Sequence, residues 1–421
     1  MKKESKLALI YYIFVAITFL TLIPPILFYL GYKSYWFIYA ALYSILILVY
    51  TWYRFILLAM GDFKPKLWGV NLYSPFTVII PCYNERSDLL EKCVKSVVNA
   101  VGEKKIIIID DGSKNNIWET IQTLASRYPN ILTHRFEKNK GKREALYWAF
   151  GKIETDYIIT IDSDTIIDKH AFAYLIAPFV EKNIGATTGN IRLINEKKNL
   201  LTRIIAGLYL TGLDNYKKAQ SVKGNVICCS GCLSAYRTKI IKEIADAFLH
   251  QTFLGKESRH SEDRHLTNLI LEKKMNVVYV EEAMCYTETP DTLVGFLKQQ
   301  QRWKRGFARE SIYLLSFSWK TSKTLFIEAS IGNVLPYFLN LGLQVFIISM
   351  MFISPMHVLK VLLPGWMILL TVRELPVFLN NPKRAFFFYL YIPLYELILF
   401  WQNPWAILTV NDKNWLTRNI K

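Results

Sequence analysis

Phe76-Thr77-Val78-Ile79-Ile80, running into Pro81-Cys82-Tyr83-Asn84-Glu85, is the stretch that decides how the middle of the chain folds. A run of apolar and β-branched residues, closed by a proline and polar turn formers, reads as a strand buried on both faces. The cadence then repeats. Lys105 to Ile109 ends in Asp110-Asp111-Gly112-Ser113, Ile131 to Phe136 leads to Asn139-Lys140-Gly141-Lys142-Arg143, and Tyr157 to Ile161 ends in Asp162-Ser163-Asp164. Arg86 to Ala100, Ile117 to Arg127 and Lys142 to Ile153 lie between them with helical periodicity. Such alternation predicts an α/β domain, a mostly parallel sheet with helices on both faces. Ligands of these sheets bind beyond the carboxyl ends of the strands. The candidate substrate-binding groups are therefore Tyr83, Glu85, Asp110, Asp111, Lys140, Lys142, Arg143, Asp162 and Asp164. Further strands are expected at Ala186 to Ile194 and Asn276 to Val280, with a long helix at Leu200 to Gln220.

Outside this region the composition changes. The chain has 421 residues, 52% of them hydrophobic and 14% aromatic, and the apolar ones concentrate towards the ends. Leu7 to Leu30 and Tyr35 to Met60 are each long enough to cross about 30 Å of hydrocarbon. A signal peptide is disfavoured because the second run follows the first at once. The lysines before the first run, with Arg54, Lys64 and Lys66, place both flanks in the cytosol. Leu325 to Ile353, Val358 to Val372 and Phe386 to Val410 are apolar again. The expected organisation is two transmembrane helices in 1–66, a cytosolic catalytic domain in 67–288, amphipathic interface helices in 289–323, a transmembrane region in 324–411 and a tail in 412–421. That makes a multi-pass protein of the plasma membrane, with the lipid bilayer as a partner.

The net charge of +17 suits nucleic acid, anionic lipid or an anionic substrate. No zinc-finger spacing, homeodomain-like helix or basic tail is present, so nucleic acid is not an expected partner. The six cysteines form no disulfide framework. Cys228, Cys229 and Cys232 read as small buried residues of a strand and turn, reduced in the cytosol.

Three constellations carry chemistry. Asp162 and Asp164 lie on one side of an extended segment, and two hard oxygen ligands suit Mg²⁺ or Mn²⁺ shared with substrate phosphates. Ser261-Glu262-Asp263-Arg264 offers a second acidic pair, either a proton acceptor at an anionic site or the N-cap of a following helix. Gln299-Gln300-Gln301-Arg302-Trp303 lies in a basic run from Leu293 to Leu315. Read as a helix, it carries Lys298, Arg302, Arg305 and Arg309 as a positive flank for lipid head groups or for phosphates. Trp303 suits stacking on a sugar or base, or anchoring at the membrane interface.

The ordered set IIPCYNE, IIIIDDGS, NKGKREA, IDSD, SEDRHLTN and QQQRW resembles processive inverting family 2 glycosyltransferases. LLTR at Leu200, AQSVKGNVICCSG at Ala219, LSAYR at Leu233, QTFLG at Gln251 and ARES at Ala308 are most similar to the hyaluronan synthases among them. The resemblance implies a GT-A domain, UDP-sugar donors and a growing polysaccharide as acceptor. It implies that Tyr83, Asp111 and Lys142 contact the nucleotide, and that Asp162 and Asp164 help hold UDP and the metal. Asp263, beside Glu262, is the implied catalytic base. Gln299, Arg302 and Trp303 are implied at the diphosphate and acceptor end, and Trp415, Thr417 and Arg418 close the site from the tail. Three departures stand out: Gly231-Cys232 for the subgroup's Gly-Pro, Ser261-Glu262-Asp263-Arg264 for its Gly-Asp-Asp-Arg, and Leu416 for the glycine of its Trp-Gly-Thr-Arg. Hyaluronan from UDP-GlcNAc and UDP-GlcA is the leading product. A chitin-oligosaccharide, capsule or other β-glycan synthase is the alternative, and a non-catalytic membrane sugar-binding or export subunit is the alternative of another class. Nothing in the sequence sets the oligomeric state.

Overall fold

The strand expected at Phe76 is the third strand of an eight-stranded sheet in a computed structural model. The structure describes residues 33–61, 74–258, 260–358, 360, 371, 375–394, 398–399 and 401–412. In chain order the elements that matter are α1 (Lys33–Ala59), β1 (Phe76–Cys82), α2 (Ser87–Asn99), β2 (Lys104–Asp110), α3 (Ile117–Arg127), β3 (Ile131–Arg135), α4 (Lys142–Phe150), β4 (Tyr157–Thr160), β5 (Ile166–Ile167), α5 (Ala171–Ile176) and β6 (Ile184–Leu193). Then follow α6 (Leu200–Thr211), β7 (Ser234–Arg237), α7 (Thr238–Leu249), the hairpin β8 (Thr252–Phe253) and β9 (Lys256–Glu257), α8 (Glu262–Glu272), β10 (Asn276–Thr287), α9 (Leu293–Thr321), α10 (Leu335–Ile353), α11 (Pro382–Leu394) and α12 (Gln402–Leu408).

The sheet order is β3-β2-β1-β4-β7-β6-β10-β5. β3, β2, β1 and β4 run parallel, as the sequence predicts, and so do β6 and β10. The sheet as a whole is mixed, however, because β7 inserts antiparallel between β4 and β6. Its four residues, Ser-Ala-Tyr-Arg, are too short and too polar to announce a central strand. Val78, Ile79 and Ile80, with Ile106, Ile108 and Ile109, are fully buried, which explains their unbroken apolar sequence. Each such side chain contributes on the order of 1.5–3 kcal/mol by leaving water. Leu90, Val94 and Val97 of α2 and Ile121 of α3 pack against them. The result is a rigid edge at which the loops after β1, β2, β3 and β4 meet.

The second apolar run of the N-terminus is the 27-residue α1. One side exposes Leu42, Ile45, Val49, Trp52, Ile56 and Met60, while Tyr50, Thr51, Arg54 and Leu57 are buried. Arg54 lies 4.0 Å from the ring centre of Tyr216. Among the described residues no helix is long and apolar enough to cross a membrane. The expected span Leu7 to Leu30 and most of Val358 to Val372 lie outside the described residues.

Candidate active site

The loops after β1 and β2 are tied together before any ligand is considered. The Asn84 amide donates to Ser113 Oγ (2.8 Å), the Lys114 amide to Asn84 Oδ1 (2.8 Å) and Asn115 Nδ2 to the Glu85 carbonyl (2.8 Å). Glu85 accepts from its neighbour's amide and from Ser163 Oγ (3.2 Å), which links the first loop to the Asp162-Ser163-Asp164 segment. Tyr83 is half-buried in the same loop.

Asp110 and Asp111 are both buried and shape the edge. Asp110 accepts from the Ser113 amide (2.9 Å) and faces Arg135 Nε at 3.1 Å. Asp111 accepts from Asn139 Nδ2 (2.8 Å) and from the Lys140 (2.8 Å) and Gly141 (2.9 Å) amides, and so fixes the loop that leads into α4. The Lys140 ammonium lies 4.7 Å from the Phe136 ring centre. Arg143, expected among the substrate-binding groups, is held by the core instead. It is buried, donates to the Phe248 carbonyl and to Gln251 Oε1 (2.7 Å), and lies over the Phe248 ring. It belongs to the frame of the site because both terminal nitrogens are taken by the core.

Lys142 is the centre of the charged cluster. Its Nζ lies 2.5 Å from Asp162 Oδ1 and 3.3 Å from Glu262 Oε1. Burial alone would lower the lysine pKa, but Asp162 and Glu262 outweigh it and hold the ammonium charged. Gly231 comes so close that a Cβ there would fall 2.7 Å from Lys142 Nζ and 3.2 Å from Asp162 Oδ2. Groups from three places in the sheet, after β3, after β4 and before β7, thus meet at the first turn of α8. Asp164 lies alongside, with Oδ1 3.5 Å from Thr287 Oγ1 at the end of β10.

Glu262 and Asp263 are adjacent, and the site drives them apart. Burial raises both. In Glu262 the Lys142 charge, its own amide and Arg143 overcome burial and hold the carboxyl at about 2. In Asp263 burial and the Glu262 anion together push the carboxyl above its ordinary value. Two neighbouring carboxyls set to opposite protonation tendencies are the usual signature of divided acid–base roles.

Helix α9 brings Arg302 to this cluster. Burial lowers the guanidinium pKa, while the charges of Glu262, Asp263 and Asp162 draw it up. The buried Oε1 of Gln299 makes no hydrogen bond within the described chain. Trp303 is exposed, and its ring centre lies 6.2 Å from that of Tyr209. Arg305 and Arg309 of the basic flank do not face head groups, contrary to one expectation. Arg305 is buried and paired with Asp412 Oδ2 (2.9 Å) and Thr409 Oγ1 (2.9 Å). Arg309 is buried against Glu310 Oε1 (3.1 Å) and the His260 carbonyl. Exposed arginine and packed arginine look alike in sequence; here the C-terminal segment supplies the acceptors of Arg305, and Glu310 with the His260 carbonyl supplies those of Arg309. Trp415, Thr417 and Arg418 lie outside the described residues.

Some neighbours of the site were not predicted. Tyr209 of α6 sits among Cys232, Asp164, Arg302 and Asp162; burial first, then Cys232, Asp164 and Asp162, push its phenol up against the opposing charge of Arg302. Lys217, in a π-helical turn at Gly212–Lys217, donates to Ser230 Oγ (2.6 Å). Cys228 Sγ lies 3.9 Å from Asp263 Oδ2, and Cys232 Sγ 3.5 Å from Asp162 Oδ2. All six cysteines are free. Tyr209 lies in an apolar helix whose sequence reads as packing. The only hint was the position of Cys232 where the related subgroup has proline.

The profile of Glycosyl transferase family 2 matches residues 77–245, which hold β1 to β7 and Asp162. A hyaluronan synthase from Streptococcus pyogenes is 32% identical over 378 residues, covering 82% of this chain and 86% of the relative. The chain belongs to glycosyltransferase family 2. An N-acetylglucosaminyltransferase from Azorhizobium caulinodans is similar to this glycosyltransferase to the same degree, 31% identical over 348 residues, 81% of this chain and 86% of the relative. Among solved structures, a mannosyltransferase from Pyrobaculum calidifontis, in complex with GDP-Man and Mn²⁺, matches with a TM-score of 0.62 at 15% identity. It covers 90% of this chain and 98% of its own. The catalytic domain of the glycosyltransferase is therefore GT-A-like, built on a mixed sheet.

Proposed function

We propose that the enzyme is a membrane-embedded, processive, inverting β-glycosyltransferase that polymerises UDP-sugars and passes the product across the bilayer. The observation that carries this reading is the meeting of Lys142, Asp162, Glu262, Asp263 and Arg302 at one edge of the sheet. An anionic donor needs cations, and an acceptor hydroxyl needs a base. Both are present within one cluster.

In this reading Lys142 and Arg302 hold the donor diphosphate, Arg302 through its planar fork. Tyr83 and Asp111 border the nucleotide, Glu85 braces Ser163, and Lys140 lines the outer loop. Asp162 and Asp164 fit a divalent cation, Mg²⁺ or Mn²⁺, because they offer two carboxylates at the place where phosphates arrive and leave the rest of the shell to them. When bound, that cation neutralises charge on the departing diphosphate. Asp263 takes the proton of the acceptor hydroxyl, the acceptor oxygen forms a bond to the anomeric carbon, and the bond from that carbon to the diphosphate breaks. The raised carboxyl of Asp263 matches this task, since a base works best with a pKa near the working pH. Gln299, with its buried Oε1, and the exposed Trp303 receive the acceptor end from α9, and Trp415, Thr417 and Arg418 cover it from the tail. The sequence of the sugars follows the hyaluronan synthase relatives: UDP-GlcNAc and UDP-GlcA in alternation. The equal similarity to an N-acetylglucosaminyltransferase supports a second reading, a chitin-like oligosaccharide from one donor.

Asp263→Asn tests the chemistry. Sugar transfer by the purified enzyme should fall about 10²–10⁴-fold while UDP still binds. Arg302→Ala should weaken UDP binding itself. Full transfer by Asp263→Asn would remove the base from this account.

A further inference from the structure

Helices α8 and α9 close against each other in a side-chain seam. Glu272 accepts from the Tyr313 hydroxyl, Glu310 from His265 Nδ1 (3.1 Å) and Asn268 Nδ2 (3.2 Å), and the His260 carbonyl from Arg309. Arg264 lies 4.4 Å from the ring centre of Phe307. At the end of the seam nearest Asp263 the pattern changes. The position on α9 is Gly306, and a Cβ built on it would fall 1.6 Å from Ser261 Oγ and 2.6 Å from Ser261 Cβ. The Ser261 side chain occupies the space that any other residue at 306 would need.

Ser261 is unusual in its own right. Its backbone is left-handed, with φ 63° and ψ 43°, a region that favours glycine. It stands at the N-cap of α8, yet its hydroxyl caps no helical amide. A strained residue that gains no capping bond persists only where its surroundings fix it. Here the fixing surface is the bare backbone of Gly306.

The geometry points to a matched steric pair: Ser261 seated on Gly306 sets the distance between the base Asp263 and the Arg302 guanidinium. Asp263 follows Ser261 by two residues in the first turn of α8, and Arg302 precedes Gly306 by one turn of α9. Neither member of the pair touches substrate, so both are positioning residues. The inference rests on the base and diphosphate roles proposed above.

A set of five variants of the full-length enzyme tests it by donor KM, turnover, UDP affinity and thermal unfolding. Gly306→Ala should lower turnover about 100-fold, the scale expected for a misplacement of about 1 Å, with little change in UDP affinity. Ser261→Gly/Gly306→Ala clears both clashing atoms and should return turnover to within about threefold of Ser261→Gly alone. Ser261→Ala/Gly306→Ala clears the hydroxyl but keeps the Cβ conflict, and should stay impaired. Should Gly306→Ala fail to accumulate, the two double variants still decide, since they differ by one methyl group. Unchanged turnover in Gly306→Ala, or equal turnover in the two double variants, overturns the pair. Asp263→Asn in the same series reads the base assignment separately, because rescue by Ser261→Gly does not depend on which residue takes the proton.

Discussion

Glu262 and Asp263 share a peptide bond and most of their neighbours, yet Lys142 answers only one of them closely. That asymmetry yields a pH prediction. As the base proposed above, Asp263 must be ionised to accept a proton, so transfer should fall as pH drops through its raised pKa. The two causes that raise it are burial and the Glu262 anion. Glu262→Gln removes the second, so the acid limb of the turnover profile should move to lower pH, whatever the loss in absolute rate. A limb that stays in place or moves up would show that the Glu262 charge does not set the Asp263 carboxyl. At this scale much of the site was legible. Asp162, Asp263 and Arg302 stand in short motifs that mark them as candidates, and the three do meet at one cluster, while the base role of Asp263 was implied only by the family resemblance. Tyr209 and Lys217 were not legible, because an apolar helix and a π-helical turn bring them to Asp164 and Ser230 without any local signal. Arg143 was over-read: a basic residue beside Lys142 looks like a phosphate ligand until the Phe248 carbonyl and Gln251 are seen to hold it.

Among the elements, α9 shows both the reach and the limit of sequence reading. The run from Leu293 was legible as a helix, and it is one, over 29 residues. In sequence its cations form one flank, but they divide by partner: Arg302 to the carboxylates of the cluster, Arg305 to Asp412, and Arg309 to Glu310. Glu310 is the hub of the seam, accepting also from Gln251 Nε2 (2.6 Å). Burial alone would raise its carboxyl, but His265, Arg309 and Gln251 hold it far below the usual range. Glu310→Ala leaves Arg309 buried beside no anion and should destabilise the protein by about 3–5 kcal/mol, read as a shift of the denaturant midpoint at constant slope. A loss under about 1 kcal/mol would place the hub elsewhere. The strands β1, β2 and β4 were legible because burial on both faces demands apolar runs, whereas β3, an edge strand with Leu132 and Arg135 exposed, showed only through its place in the repeating cadence. β7 was not, because a four-residue strand between two neighbours draws its stability from them rather than from its own composition.

The whole molecule joins a GT-A-like domain to helices that strap around it. Arg384 of α11 makes a bidentate pair with Glu196 after β6 (2.9 and 2.7 Å), Lys304 reaches the Leu399 carbonyl (2.8 Å), and Gln402 of α12 donates to the Leu297 carbonyl (3.0 Å). The catalytic domain and the C-terminal segment are thereby joined by direct side-chain contacts, an arrangement that suits the proposed hand-over of product. With a divalent cation proposed at Asp162 and Asp164, transfer should depend on that cation. Chelation should abolish it and either Mn²⁺ or Mg²⁺ should restore it; undiminished transfer in chelator would remove the cation from the mechanism. The account as a whole is tested most directly by incubating the purified protein, with cation, with UDP-GlcNAc, UDP-GlcA and UDP-Glc, singly and in pairs. It predicts a long polymer only from UDP-GlcNAc with UDP-GlcA, and polymer from UDP-GlcNAc alone, with no demand for UDP-GlcA, would contradict it.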